Sequence, residues 1–179
     1  MAVALSVALM LLAQGASAQR TMRGQYAVSA DALWSGTVPG GSLAFGQYLQ
    51  SSLWEAGLSC RSFARSLSTG DTLRYLDVCA EGRWSYRLLS LRSRALSLYG
   101  GGGVFMGYEW YDPFGKVPDD IDTGLGDGVF LYGVSASLDA EVFVLRRLAL
   151  VVGASAPVNF SSSLGHFRWE VSAGLRLNL

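Results

Sequence analysis

The stretch HFRWEVSAGLRLNL (166–179) alternates without a break. Phe167, Trp169, Val171, Ala173, Leu175, Leu177 and Leu179 hold one set of alternate positions, and Arg168, Glu170, Ser172, Gly174, Arg176 and Asn178 hold the other. Residues two apart share a face of a β-strand, so this segment is a ribbon with one apolar and one polar side. It is longer than the ~5–6 residues of an ordinary strand.

The same pattern recurs upstream. Leu76, Val78, Ala80, Trp84 and Tyr86 oppose Asp77, Cys79, Glu81, Arg83, Ser85 and Arg87. Tyr132, Val134, Ala136, Leu138, Ala140 and Val142 oppose Gly133, Ser135, Ser137, Asp139 and Glu141. The periodicity predicts eight strands, at 25–34, 42–51, 53–65, 73–87, 95–111, 129–144, 148–160 and 166–179. The second of these alternates poorly. Gln50-Ser51-Ser52 and Leu145-Arg146-Arg147 make tight links. SGTVPGGS (35–42), SLSTGDT (66–72), YDPFGKVPDDIDTGLGDG (111–128) and SSSLGH (161–166) make long ones. Short turns on one rim and long loops on the other describe an antiparallel up-and-down transmembrane β-barrel.

Alternation alone does not say which face is outside. A soluble lipocalin-like barrel has an apolar lumen and a wet exterior. Three features favour the reverse. Charged residues make up only 16% of the chain against 50% hydrophobic, too few to solvate eight strands. The apolar face carries Tyr26, Trp34, Trp54, Trp84, Tyr86, Tyr108, Trp110, Tyr132 and Trp169 towards strand ends, the placement of a membrane-interface aromatic girdle. The polar face mixes Asp31, Glu55 and Arg61 with Asp77, Glu81, Arg83, Asp139, Glu141, Arg168, Glu170 and Arg176. Each arginine facing lipid at the midplane would cost ~2–4 kcal/mol, whereas in a narrow lumen these groups pair. The last eight form the expected lumen charge network. The predicted fold is therefore an all-β, eight-stranded barrel whose lumen is filled by side chains.

The start of the chain sets the compartment. An apolar run from Val3 to Ala13 precedes Ala16-Ser17-Ala18, the A-x-A form of a signal-peptidase site. The run is shorter than the ~20 residues of a membrane-spanning helix. The expected division is a signal peptide at 1–18, cleaved after Ala18, and a single outer-membrane barrel at 19–179. A net charge of zero gives no basic field for nucleic acid.

Candidate chemistry is sparse. GGGG (100–103) has the glycines of a phosphate cradle but lacks the strand-to-helix setting and the lysine of a P-loop; it makes room for Tyr99 and Phe105 in a curved strand. His166 is the only histidine. With Ser161 to Ser163 and Glu170 it invites a hydrolase reading, but Glu170 lies ~13 Å further along a strand at ~3.3 Å per residue. Asp112, Asp119, Asp120, Asp122 and Asp127 crowd the longest link, yet DDIDTGLGDG (119–128) matches neither an EF-hand nor a nonapeptide calcium repeat. Cys60 and Cys79 fall on opposite faces, so their Cβ atoms miss the ~3.8 Å of a disulfide. The expectation is no catalytic residue, no metal and no cofactor.

AQRTMRG (18–24), GGGVFMGYEW (101–110), GDGVFLYGVSASLDAEVFVLRRLALVVG (126–153) and SSSLGHFRWEVSAGLRLNL (161–179) resemble the conjugative-transposon TraO family of Bacteroidetes. The likeness covers most of residues 19–179 and is best from residue 95 onward. It implies a component of a conjugal DNA-transfer apparatus at the outer membrane, with outer-membrane lipid and other transfer proteins as partners. An eight-stranded barrel is just wide enough for its own side chains. The expected role is an anchor or scaffold, not a DNA conduit, with no direct nucleic-acid binding. The rival roles are a small barrel of adhesive or membrane-stabilising type and a lipid-modifying enzyme.

Overall fold

A computed structural model describes residues 23–35, 39–66, 72–91, 96–111, 128–162 and 166–179. The expected signal segment with its cleavage site, and the aspartates at 112–127, lie outside the described residues. The elements are β1 (Tyr26–Trp34), β2 (Pro39–Tyr48), β3 (Ser52–Ser66), β4 (Thr72–Leu91), β5 (Leu96–Tyr111), β6 (Gly128–Phe143), β7 (Leu148–Asn159) and β8 (Glu170–Asn178). Each pairs antiparallel with its sequence neighbour, and β8 closes on β1. The result is a closed eight-stranded barrel.

Closure leaves no sheet edge along the wall, and the register gives the strands their tilt. From Tyr26 the paired residues run through Gln47, Trp54, Trp84, Gly102 and Ala136 to Ala156. That is already past Ser155, which faces the first residue of β8, Glu170. The ring returns displaced along its strands, the stagger that a closed barrel requires. One rim carries the start of β1, the end of β8 and the tight links at 49–51 and 144–147. The other carries the longer links.

Alternation sorts the side chains as the pattern requires. Tyr26, Val28 and Trp34 face out while Ala27, Ser29 and Leu33 are buried inside. Outward aromatics gather towards both rims. Tyr26 stacks on Phe45 at 5.4 Å, and Phe45 meets Trp54 edge-on at 6.1 Å. Trp54 in turn pairs across the strands with Trp84. At the long-loop rim Tyr108 lies 4.9 Å from Trp110, and Tyr132 lies 5.7 Å from Phe160. Trp169 is exposed there too.

Three strands differ from the sequence expectation by more than one residue. β2 runs 39–48, not 42–51, because the turn closes at Leu49, whose N–H donates to the Ser52 carbonyl at 2.8 Å. Glycines at 40, 41 and 46 had blurred its alternation. β4 continues to Leu91 through an irregularity between Arg87 and Leu89, where the run LLSL (88–91) breaks the two-residue period. Regular β8 begins at Glu170, not at 166. β1 ends at Trp34 opposite Val171, so residues 166–169 have a strand partner only in β7, where Phe167 bridges Val158.

The four-glycine run serves close packing of the wall. Tyr99 and Phe105 are buried inside, and a Cβ at Gly101 would collide with the Trp84 carbonyl and lie 2.6 Å from the Ser85 Cα. Those atoms are backbone of the neighbouring strand and cannot yield. Outward Gly82 has nothing within 4 Å of such a Cβ. Gly101→Val is therefore expected to lose about 1–3 kcal/mol or more through overpacking. Gly82→Ala is expected to fold normally. Thermal unfolding in detergent, read by circular dichroism, checks both.

Candidate functional site

The lumen gathers charges of both signs. Four guanidinium groups each bridge two carboxylates there. Arg176 on β8 reaches Glu55 on β3 at 2.7 Å and Glu141 on β6 at 3.6 Å. Arg83 on β4 contacts Glu55 at 2.6 Å and Asp139 at 3.3 Å. Arg61 on β3 contacts Glu81 at 2.6 Å and Glu170 at 2.5 Å. Arg168, just before β8, contacts Asp77 at 2.8 Å and Glu109 at 3.2 Å, with its guanidinium 4.4 Å from the Phe63 ring centre.

Arg83–Glu55 and Arg61–Glu81 join adjacent strands, and the other pairs reach further round the ring. In a ring of eight strands β8 lies opposite β4, so Arg168–Asp77 crosses the lumen, as do Arg176–Glu55 and Arg61–Glu170. Hydroxyl groups complete the shells. Tyr48 donates to Glu141, and Ser59 donates to Glu81. Ser155 donates to Glu170 at 3.3 Å, and Ser162 donates to Glu109 at 2.9 Å. Buried charge survives only with such partners, because desolvating a lone ion costs several kcal/mol.

The structure brings all eight expected network residues into this lumen. It adds Glu55, Arg61 and Glu109 as full members, and Tyr48 as a donor. Glu55 and Arg61 had been placed on the polar face but outside the network. Glu109 had been missed, although Phe105, Gly107 and Glu109 share the alternation of a strand whose inward face was already assigned. Asp31 sits slightly apart and accepts from Ser42 at 3.4 Å.

The lumen is filled along its length. Ala27, Tyr48, Leu53 and Tyr99 make an apolar cluster towards the tight-turn end. Cys79, Phe105 and Leu131 make another towards the opposite end. The lumen holds a cavity of about 90 Å³ whose lining includes Asp31, Ser137, Arg83 and Asp139. Ligand sites usually measure ~300–1,000 Å³.

The other candidates lie apart from one another. His166 is exposed, and its Nδ1 lies 3.0 Å from the Asn159 carbonyl. Ser161 donates to the Phe130 carbonyl at 2.6 Å, while Ser162 and Glu170 are engaged in the lumen. Cys60 is exposed, Cys79 is buried, and neither is in a disulfide. Among the described residues no three of His, Cys, Asp and Glu come together as a metal site.

Arg176 carries the most buried bridge, with side-chain exposure of 2% beside 5% for Glu55 and 0% for Glu141. Arg176→Ala would leave Glu141 in the lumen without a cation and Glu55 with Arg83 alone. It is expected to lower stability by about 3–5 kcal/mol. Arg146→Ala, on the exposed β6–β7 turn, is expected to change it by less than ~0.5 kcal/mol. Urea unfolding in lipid vesicles compares them.

The shape is shared with solved outer-membrane barrels. The outer membrane protein OprG of Pseudomonas aeruginosa is 10% identical, with a TM-score of 0.59 over 90% of this chain and 98% of that one. A major outer membrane protein of Thermus thermophilus is 13% identical, with a TM-score of 0.57 over 88% of this chain and 100% of that one. The N-terminal barrel domain of P. aeruginosa OprF is 9% identical, with a TM-score of 0.54 over 88% of this chain and 98% of that one. At such identities the likeness establishes the fold alone. No curated protein sequence matches the chain. The family model of the conjugative transposon protein TraO matches residues 64–179, from the end of β3 to the end of β8, and the chain belongs to that family.

Proposed function

We propose that this protein is a non-enzymatic outer-membrane component of a conjugative DNA-transfer apparatus, acting as an anchor or scaffold. Membership of the TraO family supports the transfer role. The observation that carries the mechanical part is the occupied lumen. Arg176, Arg83, Arg61 and Arg168 project into the lumen, each bridging carboxylates of two strands. A DNA strand threading this barrel would have to displace every one of them. The monomer therefore works through its outer surface and its rims.

The membrane reading rests on the outer face. Leu43, Leu58, Val104, Met106 and Leu138 are exposed in mid-wall, and the aromatic bands flank them. A signal peptide at 1–18 would deliver the chain by export, with cleavage after Ala18. Lipid covers the wall, and other transfer proteins meet the rims.

Deleting the gene from a donor strain is expected to lower conjugation frequency by at least tenfold. A plasmid copy, including a His166→Ala copy, should restore it. Unchanged frequency in the deletion strain would argue for a general adhesive or membrane-stabilising barrel. Failure of His166→Ala alone, at normal protein level, would argue for catalysis. Planar-bilayer recordings of the purified monomer are expected to show no steady conductance of porin size.

A further inference from the structure

The zero net charge of the chain conceals a separation along the barrel axis. Among the described residues, every Asp and Glu stands at an inward strand position. The tight-turn rim has none. The sequence holds no Asp or Glu at 32–54, 82–108, 142–169 or 171–179, and these stretches include every link of that rim and the end of β8. Arginines occupy it instead. Arg23 precedes β1, while Arg146 and Arg147 form the β6–β7 turn. All three are exposed and have no carboxylate partner among the described residues. Arg87 closes the inner side, with its Nε donating to the Tyr99 hydroxyl at 3.3 Å.

The neighbours of these cations select the partner. Leu145, 63% exposed, sits directly before Arg146-Arg147, and Leu88, Leu89 and Leu91 are exposed after Arg87. Tyr26, Trp54, Trp84 and Tyr86 ring the same end on the outer wall. A nucleic-acid groove sets cations among stacking aromatics on a wet surface. Here cations alternate with leucines just beyond an aromatic band. That is the arrangement of a headgroup boundary, with guanidinium groups at the phosphates and apolar side chains reaching the acyl region. Arginine suits phosphate because its planar fork donates two parallel hydrogen bonds.

We propose that the tight-turn rim is a binding surface for anionic phospholipid headgroups, held by Arg23, Arg146 and Arg147. The inference rests on the outer-membrane reading and adds a lipid preference to it. In up-and-down barrels this rim faces the periplasm. The inner-leaflet phospholipids would then fix the depth and orientation of the barrel.

The test uses the full chain in nanodiscs of equal phosphatidylglycerol and phosphatidylcholine, with retained lipids counted by native mass spectrometry. Phosphatidylglycerol should be retained several-fold over phosphatidylcholine. The R146Q/R147Q variant should bring that ratio down several-fold, towards equal retention of the two lipids, at low salt. Arg74→Gln removes one cation at the exposed long-loop end of β4, the same change as Arg146→Gln alone, and should leave the ratio unchanged where Arg146→Gln lowers it. A protein that inserts normally but retains both lipids equally overturns this inference alone. A protein that never enters the nanodisc overturns the outer-membrane reading as well. Binding of a fluorescent single-stranded 20-mer that R146Q/R147Q abolishes, without any lipid preference, would make the rim a nucleic-acid surface instead.

Discussion

A guanidinium in the wall of a membrane barrel has one tolerable direction. Facing lipid at mid-depth it costs ~2–4 kcal/mol. Facing a narrow lumen it meets carboxylates from neighbouring and opposite strands. Every other feature of this structure follows from that choice of direction. Because a strand's side chains alternate, fixing Arg83 inward also fixes Glu81 and Asp77 inward and sends Trp84 and Val78 out. A one-residue slip of β4 would put all three charges in lipid. The ion pairs thus act on register as much as on stability. Arg61–Glu170 and Arg176–Glu55 tie β3 to β8 without any shared backbone ladder.

Most of the architecture was legible because the period-two signal is carried by large, chemically opposite residues. In β6 the contrast of Leu138 with Asp139 and of Val142 with Glu141 leaves no second reading. Legibility failed where that contrast vanished. In β2 the inward positions 40, 42, 44 and 46 are Gly, Ser, Ala and Gly, so the strand showed no polar face although these positions face the lumen. Its limits were set by the turn at Leu49, a feature of hydrogen bonding and not of hydropathy. The LLSL run of β4 failed differently, because consecutive leucines cannot report a face at all.

The charged lumen was legible in membership but not in pairing. Inward phase is a local property of each strand, and it identified Arg168 and Asp77 separately. Their contact depends on the stagger of the whole ring, which brings the start of β8 over to β4 and β5. Glu109 shows the same limit. It lies between Tyr108 and Trp110, whose outward aromatic signal dominates that stretch, yet its own side chain is fully buried beside Arg168.

Charge averaged over the chain was the least informative quantity. The chain holds equal numbers of basic and acidic residues, which suggests a surface without a field. A barrel, however, assigns each residue to lumen, wall or rim according to strand phase and link length, and the two signs need not be assigned alike. Here the described Asp and Glu side chains go to the lumen, where they pair with four arginines, and the exposed arginines of the tight-turn rim have no carboxylate partner among the described residues. A sphere with the same composition would show no comparable asymmetry. The tube does, because its rims, and not its wall, are where a long cationic side chain can leave both lipid and lumen. The occluded interior and the basic rim are thus two outcomes of one sorting rule, and the sorting leaves the outer surface and the rims as the places where this barrel can meet a partner.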